Sequence, residues 1–241
     1  MKHDTSKLIV ALDFDNEATV MQLVSLLDPA YCRLKVGKQL FTCCGPSIVK
    51  KIQDAGFDVF LDLKFHDIPN TTAMAVKAAA DLGVWMVNVH AGGGRRMLEA
   101  AKQAIDSGNY SSKLIGVTVL TSMDKEDLLS VGINQEPVQR VTQLAKLCKE
   151  TGLDGVVCSA WEAPSVKGAC GARFLAVTPG IRPITSAAGD QRRVMTPQQA
   201  VAGGSDFIVV GRPITQAQDP LQVCVDISLE LDGAGVARGS R

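Results

Sequence analysis

Short apolar runs recur along the chain, and most are followed by a stretch in which apolar residues have helical spacing. The runs predict eight strands, at Leu8–Asp13, Cys32–Val36, Asp58–Lys64, Trp85–His90, Leu114–Leu120, Gly155–Ser159, Phe174–Thr178 and Phe207–Gly211. Helices are predicted at Glu17–Leu27, Pro69–Leu82, Arg95–Asp106, Pro137–Thr151 and Pro197–Gly203, with a last one beyond Asp219 to about Leu231. Strands that alternate with helices indicate a parallel sheet covered by helices.

Eight such units in 241 residues favour a closed (β/α)8 TIM barrel, a fold of about 250 residues. The alternative is a doubly wound open sheet, which requires a Gly-x-Gly-x-x-Gly turn after the first strand. The chain has Asp13-Phe14-Asp15-Asn16 there, and its glycines 92–94 are only weak support for a nucleotide site. We therefore predict one α/β barrel domain over residues 1–232 and a disordered tail over 233–241.

Composition excludes several classes of protein. The 25 basic and 25 acidic side chains balance, which argues against a dedicated nucleic-acid surface. No stretch approaches the roughly 18 apolar residues that a membrane helix needs. The polar start of the chain has no signal-peptide pattern, so a cytoplasmic location is expected. The seven cysteines include no Cys-x-x-Cys pair, which favours buried structural thiols over a metal or redox site.

Charged residues stand at the predicted ends of the first three strands. Because side chains alternate across a strand, Asp62 and Lys64 share one face of the third strand and point into the barrel lumen. By the same rule Lys35 reaches the mouth of the barrel from the second strand, and Asp13 ends the first. Asp67 lies just before a predicted helix, whose N-terminus favours a carboxylate. Barrel enzymes place their active sites at this end of the strands.

Two interpretations of these charges are open. Any one of them alone is as readily explained by a solvated loop end or a structural ion pair. Several alternating charges on neighbouring strand ends are costly to bury without a compensating role. The set therefore favours a pocket in which negative charge moves and a proton follows it.

A second cluster of candidate binding residues lies at the end of the last predicted strand. Loops after strands seven and eight of this fold often bind phosphate. Gly211 allows a backbone N–H to approach an oxyanion, and Arg212 can bind it through two parallel hydrogen bonds. Gln191, in the long predicted loop Gly180–Arg193, adds an amide donor. The alternative for Arg212 is a surface cation with no ligand.

Three further polar residues follow predicted strands. Thr121 and Ser122 either hydrogen-bond a ligand ring or cap a helix near Asp124–Leu129. His90 ends the fourth strand and could bind a metal together with Asp62, but a hydrogen-bonded supporting histidine is favoured.

The run Asp62-x-Lys64-x-x-Asp67-Ile68-Pro69-Asn70-Thr71 closely resembles the active-site motif of the orotidine 5′-phosphate decarboxylases. The likeness covers nearly the whole chain and follows the order of the bacterial enzymes. It includes Ala11-Leu12-Asp13, Lys35-Val36-Gly37, Val89-His90-Ala91, Leu120-Thr121-Ser122, Thr178-Pro179-Gly180-Ile181-Arg182, Gly189-Asp190-Gln191-Arg192-Arg193 and Val210-Gly211-Arg212-Pro213-Ile214. The resemblance implies that orotidine 5′-monophosphate is converted to UMP and carbon dioxide, the last step of de novo pyrimidine synthesis.

The resemblance also implies a barrel homodimer that needs no metal or organic cofactor. In such a dimer Asp67, Ile68 and Thr71 would reach the neighbouring subunit's site, so that the active site requires both chains.

Roles for single residues are implied in the same way. Lys64 would stabilise and then protonate the carbanion left at C6, and Asp62 would face the departing carboxylate, while Lys35 and Asp67 would hold these two in place. The residues implied to bind the substrate are Asp13, Lys35, Ile68, Thr71, Thr121, Ser122, Pro179, Arg182, Gln191, Gly211 and Arg212.

Two other functions are weighed against this one. Related sugar-phosphate enzymes of the hexulose-phosphate synthase type use the shorter Asp-x-Lys-x-x-Asp motif around a magnesium ion, and the continuation from Ile68 to Thr71 argues against them. A catalytically silent nucleotide-binding barrel is the other alternative, and the intact charged set argues against it.

Overall fold

Eight parallel strands pair in chain order and close into a barrel, which confirms the predicted TIM-barrel fold. The computed structural model describes residues 6–182 and 195–236, the side chains of 232–236 excepted. Its strands are β1 (Leu8–Leu12), β2 (Arg33–Gly37), β3 (Val59–Phe65), β4 (Met86–His90), β5 (Lys113–Val117), β6 (Gly155–Val157), β7 (Leu175–Pro179) and β8 (Phe207–Val210). β1 pairs with both β2 and β8, and this second pairing closes the sheet.

Helices cover the outside of the barrel. They are α1 (Glu17–Leu26), α2 (Lys38–Cys44), α3 (Ser47–Asp54), α4 (Pro69–Asp81), α5 (Arg95–Ser107), α6 (Lys125–Ser130), α7 (Pro137–Glu150), α8 (Ala163–Cys170), α9 (Pro197–Ala202), α10 (Arg212–Thr215) and α11 (Pro220–Val236). Four short helices, α2, α3, α8 and α10, were not predicted from the sequence. α11 continues to Val236, into the segment predicted as a tail, and residues 237–241 lie outside the described part of the chain. No helix in the described ranges is long and apolar enough to cross a bilayer.

Local sequence signals mark where four of the helices begin. Asn16 caps α1, where its side-chain oxygen accepts a hydrogen bond from the backbone N–H of Thr19. α4, α7 and α9 each begin with proline, at Pro69, Pro137 and Pro197, where the missing N–H is not needed. These starts were predicted correctly because capping residues and first-turn prolines are visible in the sequence.

The strands separate two hydrophobic layers. The lumen of the barrel is filled by Ile9, Ala11, Phe60, Met86, Ile115, Val177 and Val209. Their strand neighbours, such as Val10, Leu61 and Val87, pack outward against the helices. Phe60 therefore lies on the inner face of β3, as the predicted alternation requires, and Asp62 follows it on that face toward the C-terminal end.

Arg33 closes the N-terminal end of the barrel. Its guanidinium carbon lies 4.4 Å from the ring centre of Trp85 and 5.5 Å from that of Phe207. Its Nε lies 3.4 Å from Asp58 Oδ2. Trp85 is thus a packing residue, and the floor that it forms with Arg33 leaves the opposite end of the barrel for a cavity.

All seven cysteines are free thiols. Five of them are buried, as predicted, and burial raises the pKa of the Cys148 thiol to about 12. Cys43 is exposed and Cys44 is partly exposed, so the prediction that the thiols are buried is wrong for these two, which lie at the end of the short helix α2.

Candidate active site

Four charged side chains of alternating sign meet at the C-terminal ends of β1, β2 and β3. Lys35 Nζ lies 3.5 Å from Asp13 Oδ1 and 3.3 Å from Asp62 Oδ2. Lys64 Nζ donates a hydrogen bond of 2.6 Å to the other oxygen of Asp62. Asp62 and Lys35 are each only 8% exposed, whereas Asp13 faces solvent. The structure therefore brings together the four strand-end charges that the side-chain alternation predicted.

Asp62 is held in its ionised form by its neighbours. Burial raises the pKa of this carboxyl, but Lys35 and Lys64, together with side-chain hydrogen bonds from Lys64 and Asn88, lower it by more, so that it lies below its ordinary value. Asp62 is accordingly a fixed negative charge near neutral pH. A proton delivered within this group must then come from an ammonium group.

The end of β3 departs from a regular strand. Leu61 pairs with Val87, but the next pairing joins Phe65 to Val89, so β3 advances four residues while β4 advances two. Lys64 lies within this bulge and has a φ of 52°, in the left-handed region that non-glycine residues seldom occupy. The alternation rule predicted the lumen face for Lys64 but not this backbone conformation.

The bulge is supported by Asn88, a residue that was not among the predicted site residues. Asn88 lies on β4 and is completely buried. Its Oδ1 accepts a hydrogen bond of 2.8 Å from the Lys64 backbone N–H, and its Nδ2 donates one of 2.7 Å to Asp62 Oδ1. An amide between the apolar residues Val87 and Val89 of a buried strand was the available signal, because a buried polar residue is the informative exception.

Gly37 also contributes to the geometry, at the end of β2. A Cβ at this position would lie 3.3 Å from Lys35 Nζ and 3.5 Å from Asp13 Oδ1. The absence of a side chain therefore leaves room for the ion pair between Lys35 and Asp13.

The charged group lines a cavity of about 330 Å³ at the C-terminal mouth of the barrel. This volume is at the lower end of the range of about 300–1,000 Å³ that is typical of small-molecule sites. Arg182, Gly211 and Arg212 line the opposite side, after β7 and β8. Because β1 pairs with both β8 and β2, Asp13 lies between the two groups.

The cavity has an excess of positive charge. Among the described residues its charged lining consists of Lys35, Lys64, Arg182 and Arg212 with Asp13 and Asp62, four cations and two anions. Apolar residues of the inner barrel layer form its base, including Phe60 and Val209. The arrangement suits a multiply anionic ligand with a flat apolar part.

Most residues of the predicted site line this cavity. They are Asp13, Lys35, Asp62, Lys64, Thr121, Pro179, Arg182, Gly211 and Arg212. Asp67, Ile68, Thr71 and Ser122 are not in the lining of the single chain, and Gln191 lies outside the described residues.

Asp67 does not line the cavity of its own chain and lies in a loop that is hydrogen-bonded to α4. Thr72 Oγ1 accepts a hydrogen bond from the Asp67 N–H and donates one to its carbonyl, each 3.1 Å long. Asp67 Oδ1 accepts from the Ile68 N–H at 2.6 Å. Asp67, Ile68 and Thr71 are exposed, and Ile68 has 67% of its surface open.

Thr121 and Ser122 do not cap the next helix. Asp124 is the N-cap of α6, because its Oδ1 accepts hydrogen bonds from the N–H groups of Glu126 and Asp127. The capping alternative for the two hydroxyl residues is therefore wrong. Of the two, Thr121 borders the cavity.

His90 lies beside His66, with 5.4 Å between the ring centres. Burial lowers the pKa of His90, and the nearby His66, Lys38 and Lys64 lower it further. Within residues 6–182 and 195–236 no three His, Cys, Asp or Glu side chains are grouped closely enough to hold a metal ion.

The sequence is similar to a family model and to orotidine 5′-phosphate decarboxylases of several bacteria. The model of the orotidine 5′-phosphate decarboxylase / HUMPS family matches residues 6–227. The orotidine 5′-phosphate decarboxylase of Teredinibacter turnerae is 60% identical over 221 residues, which is 92% of this chain and 95% of that protein. The enzyme of the same name from Vibrio atlanticus is 57% identical over 223 residues, 92% of this chain and 96% of that protein.

A solved structure supports the same grouping. The orotidine 5′-phosphate decarboxylase of Lactobacillus acidophilus superposes with a TM-score of 0.84 at 40% sequence identity. The similarity covers 94% of this chain and 99% of that one.

Proposed function

The chain belongs to the orotidine 5′-phosphate decarboxylase / HUMPS family, and we propose that it converts orotidine 5′-monophosphate to UMP and carbon dioxide, completing de novo pyrimidine synthesis. The observation that carries the proposal is the alternation of the buried Lys35 and Asp62 with the partly buried Lys64 inside a cavity with a cationic far side. Such an arrangement is preset for a reaction in which negative charge forms at one atom.

The shape of the cavity suggests how the substrate lies. Arg212, Gly211 and Arg182 would hold the phosphate at the side of β7 and β8. Asp13 and Lys35, between the two sides, would bind the ribose hydroxyl groups. The pyrimidine would then rest on the apolar base, near Thr121, with its C6 carboxylate directed toward β3.

Lys64 is the proposed proton donor. The bond from C6 to the carboxylate breaks, carbon dioxide leaves, and the electron pair remains on C6. The Lys64 ammonium stabilises that pair and transfers a proton to it, which forms the C6–H bond of UMP; water then returns a proton to the amine. At an effective dielectric constant of 20, two unit charges 4 Å apart attract by about 4 kcal/mol, a substantial part of the 8–23 kcal/mol or so by which enzymes lower barriers.

The remaining charges hold the Lys64 ammonium group in position. Asp62 accepts a hydrogen bond from its ammonium group, and Lys35 balances the second oxygen of Asp62. Since a catalytic interaction must favour the transition state over the substrate, the ammonium contributes most as the charge of the substrate carboxylate moves to C6.

We also propose that two chains assemble around the active sites. The exposed Asp67, Ile68 and Thr71 would contribute to the cavity of a partner, and Ile68 and Met74, with 67% and 51% of their surfaces open, would lose contact with water there. Independence from metal and cofactor and a cytoplasmic location belong to the same proposal.

The deciding experiment follows the absorbance decrease of orotidine 5′-monophosphate. We expect turnover by the wild-type protein and a loss of about 10⁴-fold or more in kcat for Lys64→Ala. Lys50→Ala, which removes an ammonium group with 71% of its side chain exposed, is the matched control and should remain active.

Turnover should also survive EDTA treatment, whereas magnesium dependence would support a sugar-phosphate enzyme of the hexulose-phosphate synthase type. No turnover by the wild-type protein would support a silent nucleotide-binding barrel. Near-normal turnover by Lys64→Ala would exclude Lys64 as the proton donor.

A further inference from the structure

The conformation of Lys64 depends on a break in the barrel sheet. Between the pairings of Leu61 with Val87 and of Phe65 with Val89, β3 contains two residues more than β4. A bulge of this kind redirects side chains and leaves backbone groups without their usual partners in the sheet. The left-handed φ of 52° at Lys64 lies at this point, and such a conformation persists only where the surroundings impose it.

The side chain of Asn88 substitutes for the missing sheet partner. Its Oδ1 accepts the Lys64 N–H at 2.8 Å from within β4, the strand next to the bulge. Asn88 has no exposed surface, so water cannot replace this acceptor.

The same amide group also orients the Asp62 carboxylate. Its Nδ2 donates at 2.7 Å to Asp62 Oδ1, the oxygen that accepts the Lys64 ammonium hydrogen bond at 2.6 Å. An amide has its acceptor and its donors on opposite sides, and rotating it by half a turn would lose both contacts. One buried side chain therefore connects the backbone of Lys64 to the carboxylate that holds its ammonium group.

We infer that Asn88 is a positioning residue that sets the direction of the Lys64 ammonium group. It does so by holding the backbone N–H of Lys64 directly and the ammonium group through Asp62. This inference rests on the proposed decarboxylase function, since it concerns the placement of the proton donor. Asn88 makes its contacts with Asp62 and Lys64, whereas Arg182, Gly211 and Arg212 lie on the other side of the cavity. Its replacement should therefore affect the chemical step more than substrate binding.

Two substitutions and a control test this role. Asn88→Ala removes both hydrogen bonds, and Asn88→Leu removes both while it keeps a side chain of similar shape in the same space. Ser112→Ala is the control, because Ser112 is also buried and donates a hydrogen bond to the Val84 carbonyl near the N-terminal end of β5. For each protein kcat and KM on orotidine 5′-monophosphate and the thermal midpoint are measured.

We expect both Asn88 variants to lose about 10- to 100-fold in kcat while KM stays within about threefold, because small displacements of a reacting group have large effects on rate. Ser112→Ala should lower the thermal midpoint and leave both kinetic constants unchanged. If Asn88→Ala does not fold because of the cavity it leaves, Asn88→Leu, which fills that space, gives the result.

Three outcomes would overturn the inference: a kcat within twofold of wild type in both Asn88 variants, a loss confined to KM, or an equal loss of kcat in Ser112→Ala. A wild-type protein that does not decarboxylate the substrate would instead refute the proposed function, so the two failures are distinguishable.

Discussion

Replacing Asp62 with asparagine tests whether the buried charges stabilise one another. Asp62 is the only anion between two ammonium groups in the buried part of the described site, at 3.3 Å from Lys35 and 2.6 Å from Lys64. Asp62→Asn keeps the size of the side chain but removes its charge. The two lysines are then left facing a neutral amide, with Asp13 as a largely exposed counterion on one side only.

The size of the effect follows from these distances. At an effective dielectric constant of 20 the attraction of Asp62 is about 5 kcal/mol for Lys35 at 3.3 Å and about 6 kcal/mol for Lys64 at 2.6 Å. Removing the carboxylate also removes its own desolvation cost, which is several kcal/mol for a buried ion. We therefore expect the free energy of unfolding to fall by about 3–5 kcal/mol, the usual result of breaking a buried ion pair.

Urea unfolding of the substrate-free protein measures this difference, and two variants serve as references. Lys64→Met should cost less than Asp62→Asn, because Asp62 keeps Lys35 and the Asn88 amide as partners. Lys50→Ala should change stability by less than about 1 kcal/mol, because its ion pair with Asp54 is exposed. The proposed mutual stabilisation is wrong if the free energy of unfolding of Asp62→Asn lies within about 1 kcal/mol of the wild-type value or above it, or if Lys64→Met lowers that free energy by more than Asp62→Asn does.

Two further predictions concern the pH and the phosphate side of the cavity. Lys35 and Lys64 hold the pKa of Asp62 below its ordinary value despite burial. The ionised carboxylate therefore stabilises the folded protein fully when the pH is above the ordinary pKa of an aspartate, and this contribution is lost as the pH falls below about 4. The stability difference between wild type and Asp62→Asn in urea should therefore narrow between pH 6 and pH 3; a constant difference would contradict the assignment. Arg212→Ala should raise KM for orotidine 5′-monophosphate at least about tenfold and lower kcat/KM. The kinetic constants on a substrate without phosphate should be unchanged. Equal losses of kcat/KM on both substrates would exclude Arg212 from phosphate binding.

The barrel could be predicted because its signals are local and repeated. Each strand is a short apolar run, and proline or a capping residue such as Asn16 begins several of the long helices. α2 and α10 have no side-chain cap, because their N-cap residues are Gly37 and Gly211, and their few residues give no clear periodicity. Such helices are stabilised by packing against the barrel, and this packing cannot be predicted from the residues of the helix alone.

The charged site could be predicted only as far as strands are regular. Alternation alone placed Lys35 and Asp62 on the inner face, because β2 and the first part of β3 pair without interruption. The irregular pairing between β3 and β4 is a property of two strands together. It determines the backbone of Lys64, and no pattern within Asp62-Leu63-Lys64-Phe65 indicates it.

Asn88 shows what signal remained unused. In a regular β4, Met86, Asn88 and His90 share the inner face, so the sequence already placed an amide in the lumen, next to the strand that bears Asp62 and Lys64. A buried amide without partners costs more than the apolar residue that could replace it. Its position therefore required two hydrogen-bonding partners nearby, and the charged strand was the neighbour able to supply them. A polar residue at an inward position of a buried strand thus indicates that the neighbouring strand departs from regular pairing at the same level, as β3 does beside Asn88.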